Sequence, residues 1–436
     1  MRGILKRLTT PRVLALCAIA AAMPAAPAAA ADRFDGPYVM LQGSRAATAT
    51  ELFGPRGHGP QTNDAEFAGT GLGAGIAIGY GHTIGRFHLG VEAEAEFSNS
   101  GWDHGAEVQR NFSLDQPRSV GLSFRAGRIV GDTALLYGTI GVVGARLETD
   151  YALPSGRRFD EEETVLGLRV GAGAELEAGH GLFLRMEHSR TAYGETAVQS
   201  SGSGNEDTLD TGSARFRIGV GYRLPVAGAP EPLPAPEPDR FEGPYVGAHG
   251  LDGLLRARQS GERGDPPGAL AVDRGAMGIG LGAFAGYGAA FGRFVVGGEI
   301  EAEKSFARFD QHREPSGRTV SAEAVYSVGA AVRGGFVVND RAMIYGRVGL
   351  VRTGFDTDYF VANTGRSFDS EHTATGLRVG GGTEVALAER TFLRLDYTYT
   401  DYDAYAVEYV DRFGRTAVDR FDPDESVFRL GIGYRF

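Results

Sequence analysis

The 436-residue chain carries 66 glycines, roughly twice the usual share of about 7 %, without the Gly-X-Y period of collagen. Its formal net charge is −11 and its one cysteine is Cys17. The acidic balance argues against binding to nucleic acid or to anionic lipid surfaces, and one cysteine rules out a disulfide framework.

The N-terminus reads as a secretory signal. Arg2, Lys6 and Arg7 precede an apolar run over 13–22, then Pro24 and an alanine tract ending at Ala31. Cleavage is expected before Asp32. Cys17 lies in a lipoprotein-like phrase, but bulky Leu16 stands where acylation expects a small residue. Cleavage would remove Arg2, Lys6, Arg7 and Arg12 and leave a chain of net charge −15 without cysteine. No later stretch approaches the ~18 uninterrupted apolar residues of a membrane helix. A membrane protein built without helices must be a closed barrel, because open strand edges cannot face lipid.

From Asp32 onward the chain is one unit used twice. Asp32-Arg-Phe-Asp-Gly-Pro-Tyr-Val39 returns as Asp239-Arg-Phe-Glu-Gly-Pro-Tyr-Val246, and Phe183-Leu-Arg185 as Phe392-Leu-Arg394. Gly167-Leu-Arg-Val-Gly171 returns as Gly376-Leu-Arg-Val-Gly380, and Phe216-Arg-Ile-Gly-Val-Gly-Tyr-Arg-Leu224 as Phe428-Arg-Leu-Gly-Ile-Gly-Tyr-Arg-Phe436. Between the copies, prolines at 225, 230, 232, 234, 236 and 238 favour an extended, semi-rigid spacer and forbid a strand ladder. The organisation expected is a signal (1–31), a first repeat (32–224), a proline-rich periplasmic linker (225–238) and a second repeat (239–436).

Each copy contains eight period-two stretches. In the first they fall at 37–46, 69–82, 86–98, 118–130, 134–148, 163–177, 181–193 and 212–224. In the second they fall at 244–254, 276–289, 293–306, 322–338, 342–356, 372–387, 391–404 and 425–436. The face parity of 134–148 is ambiguous, since Tyr137 and Ile140 fall on opposite sides. Short turns alternate with long polar connections at 47–68, 99–117, 149–162 and 194–211. This alternation is the mark of an up-and-down outer-membrane barrel with short periplasmic turns. The fold class expected is all-β: a transmembrane antiparallel barrel as two tandem eight-stranded repeats, with one fused sixteen-stranded barrel as the alternative.

The first-strand Gly-Pro-Tyr, the fifth-strand Tyr137-Gly-x-x-Gly141 and Tyr345-Gly-x-x-Gly349, Leu393-Arg-Leu-Asp-Tyr-Thr-Tyr399 and the Gly-x-Gly-Tyr-Arg-Phe end together resemble small outer-membrane barrels of Gram-negative bacteria, of the alphaproteobacterial porin-family or surface-antigen type. The resemblance implies an integral outer-membrane protein in contact with lipid and lipopolysaccharide. It also implies a closing strand read by the barrel assembly machinery through Phe428, Leu430, Ile432, Tyr434 and Phe436. Family members are typically single barrels, so the tandem departs from the pattern.

The inward parity carries both charges: Glu92, Glu94, Glu175 and Glu187 with Arg125, Arg169, Arg185 and Arg217 in the first copy, and Glu299, Glu301, Glu384 and Asp396 with Arg333, Arg378, Arg394 and Arg429 in the second. Eight strands enclose an interior that side chains can fill, and charges withdrawn from water need partners. The mixture predicts a salt-bridged plug, with a selective ion path as the alternative. The stripe Glu92, Glu94, Glu96 suggests lumen pairing rather than paired catalytic acids or a calcium site. Glu187-His188-Ser189 holds the ingredients of a hydrolase triad, yet adjacent strand residues alternate faces. Gly69-Thr-Gly-Leu-Gly-Ala-Gly75 lacks the spacing and following helix of a phosphate loop. The histidines form no metal-ligand spacing. No catalytic, metal or cofactor site is expected, and the chain reads as a non-enzyme with a structural and surface-exposed role. The other readings are a porin or narrow channel, and an adhesin binding a host or cell-surface ligand through loops at 47–68, 194–211 and 361–371. Trp102, beside Asp103 and His104, is expected in a long loop.

Overall fold

Alternating apolar and polar residues over long stretches can bury one face only if each strand finds a partner on both edges. The computed structural model describes residues 32–436 except 57–60, 107–110, 153–155, 200–205, 225–231, 264–267, 314–317, 362–364 and 411–413. The signal reading and the start of the linker therefore lie outside the described residues.

The first copy forms β1 (Gly36–Arg56), β2 (Gln61–Ile84), β3 (Phe87–Ala106), β4 (Asn111–Val130), β5 (Ala134–Ala152), β6 (Arg158–Gly179), β7 (Leu182–Gln199) and β8 (Glu206–Arg223). The second forms β9 (Gly243–Arg263), β10 (Gly268–Phe291), β11 (Phe294–Ser305), β12 (Arg308–Arg313), β13 (Arg318–Val337), β14 (Ala342–Val361), β15 (Arg366–Ala386), β16 (Thr391–Tyr402), β17 (Tyr405–Val410) and β18 (Thr416–Arg435). β11 with β12, and β16 with β17, are two halves of one stave broken by a short irregularity.

Each copy closes on itself. β8 returns to β1, placing Tyr222 opposite Val39 and Phe216 opposite Arg45. β18 returns to β9, placing Tyr434 opposite Val246 and Phe428 opposite Asp252. These registers make two eight-staved barrels, because the strand ending at Arg223 pairs with its own first strand. The ends of each copy meet on the short-turn side, where Leu224 N–H donates to Pro37 O and Phe436 N–H to Pro244 O. The linker follows on that side, with Arg33 donating to Pro232 O at 3.1 Å.

The strands run much longer than the sequence pattern indicates. β1 alone has 21 residues, about twice the ~9–11 that a tilted strand needs to cross a bilayer. Most of the residues read as long connections at 47–68, 99–117, 149–162 and 194–211 are therefore strand. They stand above the membrane as continuous hairpins, because their inward face still has something to bury. In the first barrel that interior is Leu52, Phe67, Trp102, Phe112, Leu114, Tyr151, Tyr193 and Leu209, among others. In the second it includes Phe309, Tyr359, Val407, Tyr409 and Phe421.

Below these extensions the outward face is apolar and exposed, through residues such as Leu41, Leu72, Ile76, Val91, Leu122 and Leu166, and Leu281, Ile300, Val332, Leu350 and Leu377. Exposed aromatics rim it: Phe87, Tyr222, Phe291, Phe294 and Phe436 toward the short turns, Phe97, Phe306 and Tyr326 at the other edge. An apolar band with aromatic girdles is the surface a bilayer requires.

The barrels stand side by side and touch along their height. At the short-turn end, Thr133 donates to Asp340 at 2.8 Å. In the middle, Phe216 stacks on Tyr397. Above the belt the extensions pair as strands, β3 with β10 through Ala106, Gly105 and His104, and β2 with β12 through Asn63, Asp64 and Ala65.

Candidate functional site

The interiors are the chemically dense part of the molecule. β3 is extended, so Glu92, Glu94 and Glu96 share one face two residues apart, and all three point inward and are buried. Strands across the lumen answer them with arginines. Arg185 bonds Glu92 and reaches Glu175 at 2.8 Å. Glu175 also receives Arg125 at 3.3 Å and bonds Arg223. Arg169 bonds Glu94. Arg217 spans Glu94 at 3.3 Å, Glu96 at 2.9 Å and Glu187 at 3.5 Å. Two tyrosine hydroxyls close the set, Tyr38 donating to Glu92 at 2.5 Å and Tyr137 to Glu187 at 2.8 Å.

The second barrel repeats the arrangement. Arg394 holds Glu299 at 2.6 Å and Asp396 at 3.0 Å. Arg333 holds Glu384 at 2.5 Å and Glu299 at 3.2 Å. Arg378 bridges Glu301 at 2.7 Å and Glu303 at 2.8 Å, and Arg429 reaches Glu303 and Asp396. Tyr245 donates to Glu299 at 2.9 Å and Tyr345 to Asp396 at 2.7 Å. In each barrel several guanidiniums are also set against ring faces, among them Arg125, Arg185 and Arg223 in the first and Arg333, Arg394 and Arg435 in the second. Arg125 lies 5.1 Å from the Tyr38 ring and 4.9 Å from Tyr137. Arg333 lies 3.9 Å from Tyr345. Such contacts supply part of what a buried cation loses on leaving water.

The structure brings every inward acid and arginine singled out from the sequence into these two networks. It adds Arg215 on Glu96 and Arg223 on Glu175 and Glu177, Arg347 on Glu301 and Arg435 on Glu384. Arg347 lies on β14, the counterpart of β5, over whose stretch 134–148 the sequence left the parity ambiguous. The structure settles that parity, with Tyr137 inside and buried and Ile140 outside and exposed. The glycines of the closing strands follow from the same crowding. A Cβ on Gly221 would lie 2.0 Å from the Phe183 ring, and one on Gly433 2.2 Å from Phe392.

Other readings resolve differently. Trp102 is not in a loop. It lies on β3 with its ring buried inside the barrel, stacked on Phe67 at 4.5 Å, and its Nε1–H donates to Thr50. Glu187 and Ser189 face the lumen, where Arg217 occupies both. His188 faces out of the barrel and meets Asp252 at 2.8 Å, so the triad is never assembled. Residues 69–75 are extended strand within β2. Among the described residues no group of three His, Cys, Asp or Glu has metal-binding geometry. The closing-strand row is divided: Phe428 and Leu430 are buried against the first barrel, while Ile432, Tyr434 and Phe436 stay exposed.

Closed antiparallel staves, a rimmed apolar belt and polar interiors define a transmembrane β-barrel protein. The family model for the outer membrane protein beta-barrel domain matches residues 14–223 and again residues 232–436. The chain belongs to that family and is an outer-membrane protein. No curated protein matches it. Among solved structures, neisserial surface protein A is 17 % identical, over 44 % of this chain and 97 % of its own, with a TM-score of 0.25. The attachment invasion locus protein Ail of Yersinia pestis is 20 % identical over 45 % and 99 %, with a TM-score of 0.26. A Pseudomonas aeruginosa FadL homologue is 11 % identical over 92 % and 91 %, with a TM-score of 0.29. Likeness at this level carries no weight for function.

Proposed function

We propose that this protein is a structural, non-catalytic and non-conducting element of the outer membrane. In this reading residues 1–31 are a cleaved export signal, the barrel assembly machinery reads Phe428, Leu430, Ile432, Tyr434 and Phe436, and outer-membrane lipid and lipopolysaccharide are the partners of the belt. The membership is of the porin-family or surface-antigen type, and the hairpins above the belt form the exposed surface.

One observation carries the reading: each lumen is crossed by buried arginines that each contact two or more carboxylates, such as Arg185, Arg217, Arg378 and Arg394. A conducting path needs sites that an ion enters and leaves easily. Here the cations are covalently fixed and the acids already paired. Opening a path would strip partners from several buried charges at once, at several kcal/mol each. Above the networks both interiors are filled by aromatic and aliphatic side chains with buried polar groups bonded among them, Asp207 to Tyr151 in the first barrel and Asp419 to Gln259 and Tyr359 in the second.

Single-channel recording of the refolded protein in planar bilayers tests it. No current above the bare bilayer is expected between moderate voltages of either sign. Discrete, reproducible conductance steps that vanish in a D396N or E175Q variant would establish the channel reading instead.

A further inference from the structure

The contact between the barrels has an internal symmetry that the repeat makes readable. Three outward residues sit side by side in register on the first barrel: His188 opposite Phe216 on β7 and β8, and Phe216 opposite Arg45 on β8 and β1. The second barrel holds the equivalent row: Tyr397 opposite Phe428, and Phe428 opposite Asp252. The two rows face each other in opposite directions. His188 stacks on Phe428 at 4.4 Å, and its counterpart Tyr397 stacks on Phe216 at 4.6 Å. Phe216 and Phe428, equivalent positions, meet at 6.3 Å at the centre.

The rest of the contact obeys the same rule. At the bottom the β4–β5 turn meets its own counterpart, the β13–β14 turn, through Thr133, Asn339 and Asp340. At the top β2 pairs with β12 and β3 with β10, which are the same relation taken from either side. Because staves tilt by ~35–45°, one vertical line on a barrel crosses successive strands. A single two-fold parallel to the barrels therefore relates turn to turn, central row to central row and hairpin to hairpin. This is the form of an isologous dimer contact, here within one chain.

The rows differ at two of their three positions, and the difference is electrostatic. Where the first copy has Arg45 and His188, the second has Asp252 and Tyr397. Asp252 accepts from His188 at 2.8 Å and from Arg190 at 2.9 Å. In the mirrored position Arg45 reaches the Tyr397 hydroxyl and lies 4.8 Å over the Tyr399 ring. Two first copies set together would place Arg45 against Arg190 and His188 at both ends, with no acid between them. Asp252 is 3 % exposed and borders the lipid-facing belt, so a missing partner there is not replaced by water.

We propose that the two repeats form a directed pseudo-two-fold pair: an outward cationic face on the first barrel recognises the acidic and aromatic face of the second and rejects a second copy of itself. The linker keeps the two near each other, and the row supplies the recognition. The pair then moves in the membrane as one body with its charged faces withdrawn from lipid.

The test uses the full chain with a protease site placed within 225–238. It is assembled in outer membranes, extracted in mild detergent, cut, and recovered through a tag on the second barrel. The first barrel is expected to co-purify. D252R should lower that fraction on the order of tenfold, while the folded-versus-heated gel shift shows both barrels still closed. The swapped pair D252R/R190D should restore it. Mixed, differently tagged and cut chains should yield no pairs of two first barrels. Separation of the wild-type halves on cleavage, an unchanged fraction in D252R, or pairs of first barrels as abundant as mixed pairs would each overturn the proposal. A second readout does not depend on extraction. Phe216→Cys with Phe428→Cys, in a mature chain whose sequence holds no other cysteine after Cys17, should cross-link within one chain in intact membranes, and Leu122→Cys with Val332→Cys, on exposed faces, should not. Equal cross-linking of both pairs, or of neither, would also overturn it.

Discussion

Asp396 shows why the fillings cannot be trimmed one residue at a time. It accepts from Arg394 at 3.0 Å, Arg429 at 3.3 Å and Tyr345 at 2.7 Å, with Arg347 at 3.6 Å. Neutralising it leaves several buried cations sharing fewer acids. D396N should therefore cost about 3–5 kcal/mol, seen as a lower urea midpoint for loss of the folded gel band. A loss under about 1 kcal/mol would mean that water reaches the network. Packing sets an equally local demand at Gly433. Valine there has no room beside Phe392, 2.2 Å from the added Cβ. G433V should abolish the folded band, and F392A in the same chain should recover part of it, since the ring is what excludes the side chain. These residues were readable from sequence because each inward position alternates strictly with a lipid-facing one. Arg347 was not, because glycines and valines blur the parity around it.

The ends of the strands were the least legible part of the elements. Hydrophobic alternation stops where lipid stops, but the hydrogen-bond ladder does not, so β1 continues with Thr48, Thr50 and Leu52 inside and Ala49, Glu51 and Phe53 outside. Only the inward row marks the extension, and Thr–Thr–Leu is a weak signal beside the Val–Leu rows of the belt. These hairpins also carry a pH-sensitive contact. Glu66 on β2 accepts from the Asp310 backbone N–H of β12 at 2.8 Å, where burial, and then the Asp310, Glu51 and Asp64 carboxylates, push its own carboxyl up to about 7. A raised acid costs stability where it is ionised. The cost is full above about 7, falls as pH drops through that value, and is gone below the ordinary 4.5. E66Q removes the ionisation. It should be more stable than wild type in alkaline buffer and equal to it in acid, with the difference in urea midpoint closing across that window. A constant difference at all pH values would remove Glu66 as the cause.

At the scale of the molecule, the two copies are equal in fold and unequal in what they need. The first barrel ends in Leu224 with chain beyond it, and it carries Arg45, His188 and Arg190 outward at a height where the rest of its surface is apolar. An arginine facing lipid near the bilayer midplane costs about 2–4 kcal/mol, less toward the interfaces. A chain cut after Asp239 thus loses two things together, the closing-strand row ending in Phe436 and the face that covers those side chains, Asp252 over His188 and Arg190 and the Tyr397 and Tyr399 rings over Arg45. It should insert poorly, measured as the protease-resistant, heat-shifted fraction in outer membranes. The two causes separate cleanly. If the terminal aromatic is what assembly lacks, L224F in the truncated chain should recover insertion while the charges stay. If the exposed cations are what the membrane rejects, L224F should change little and R45L with R190L should recover it. Recovery only with both changes would mean that the second barrel serves the first twice, as the signal for entry and as the surface that replaces lipid. Efficient insertion of the unmodified fragment would show that the first barrel needs neither.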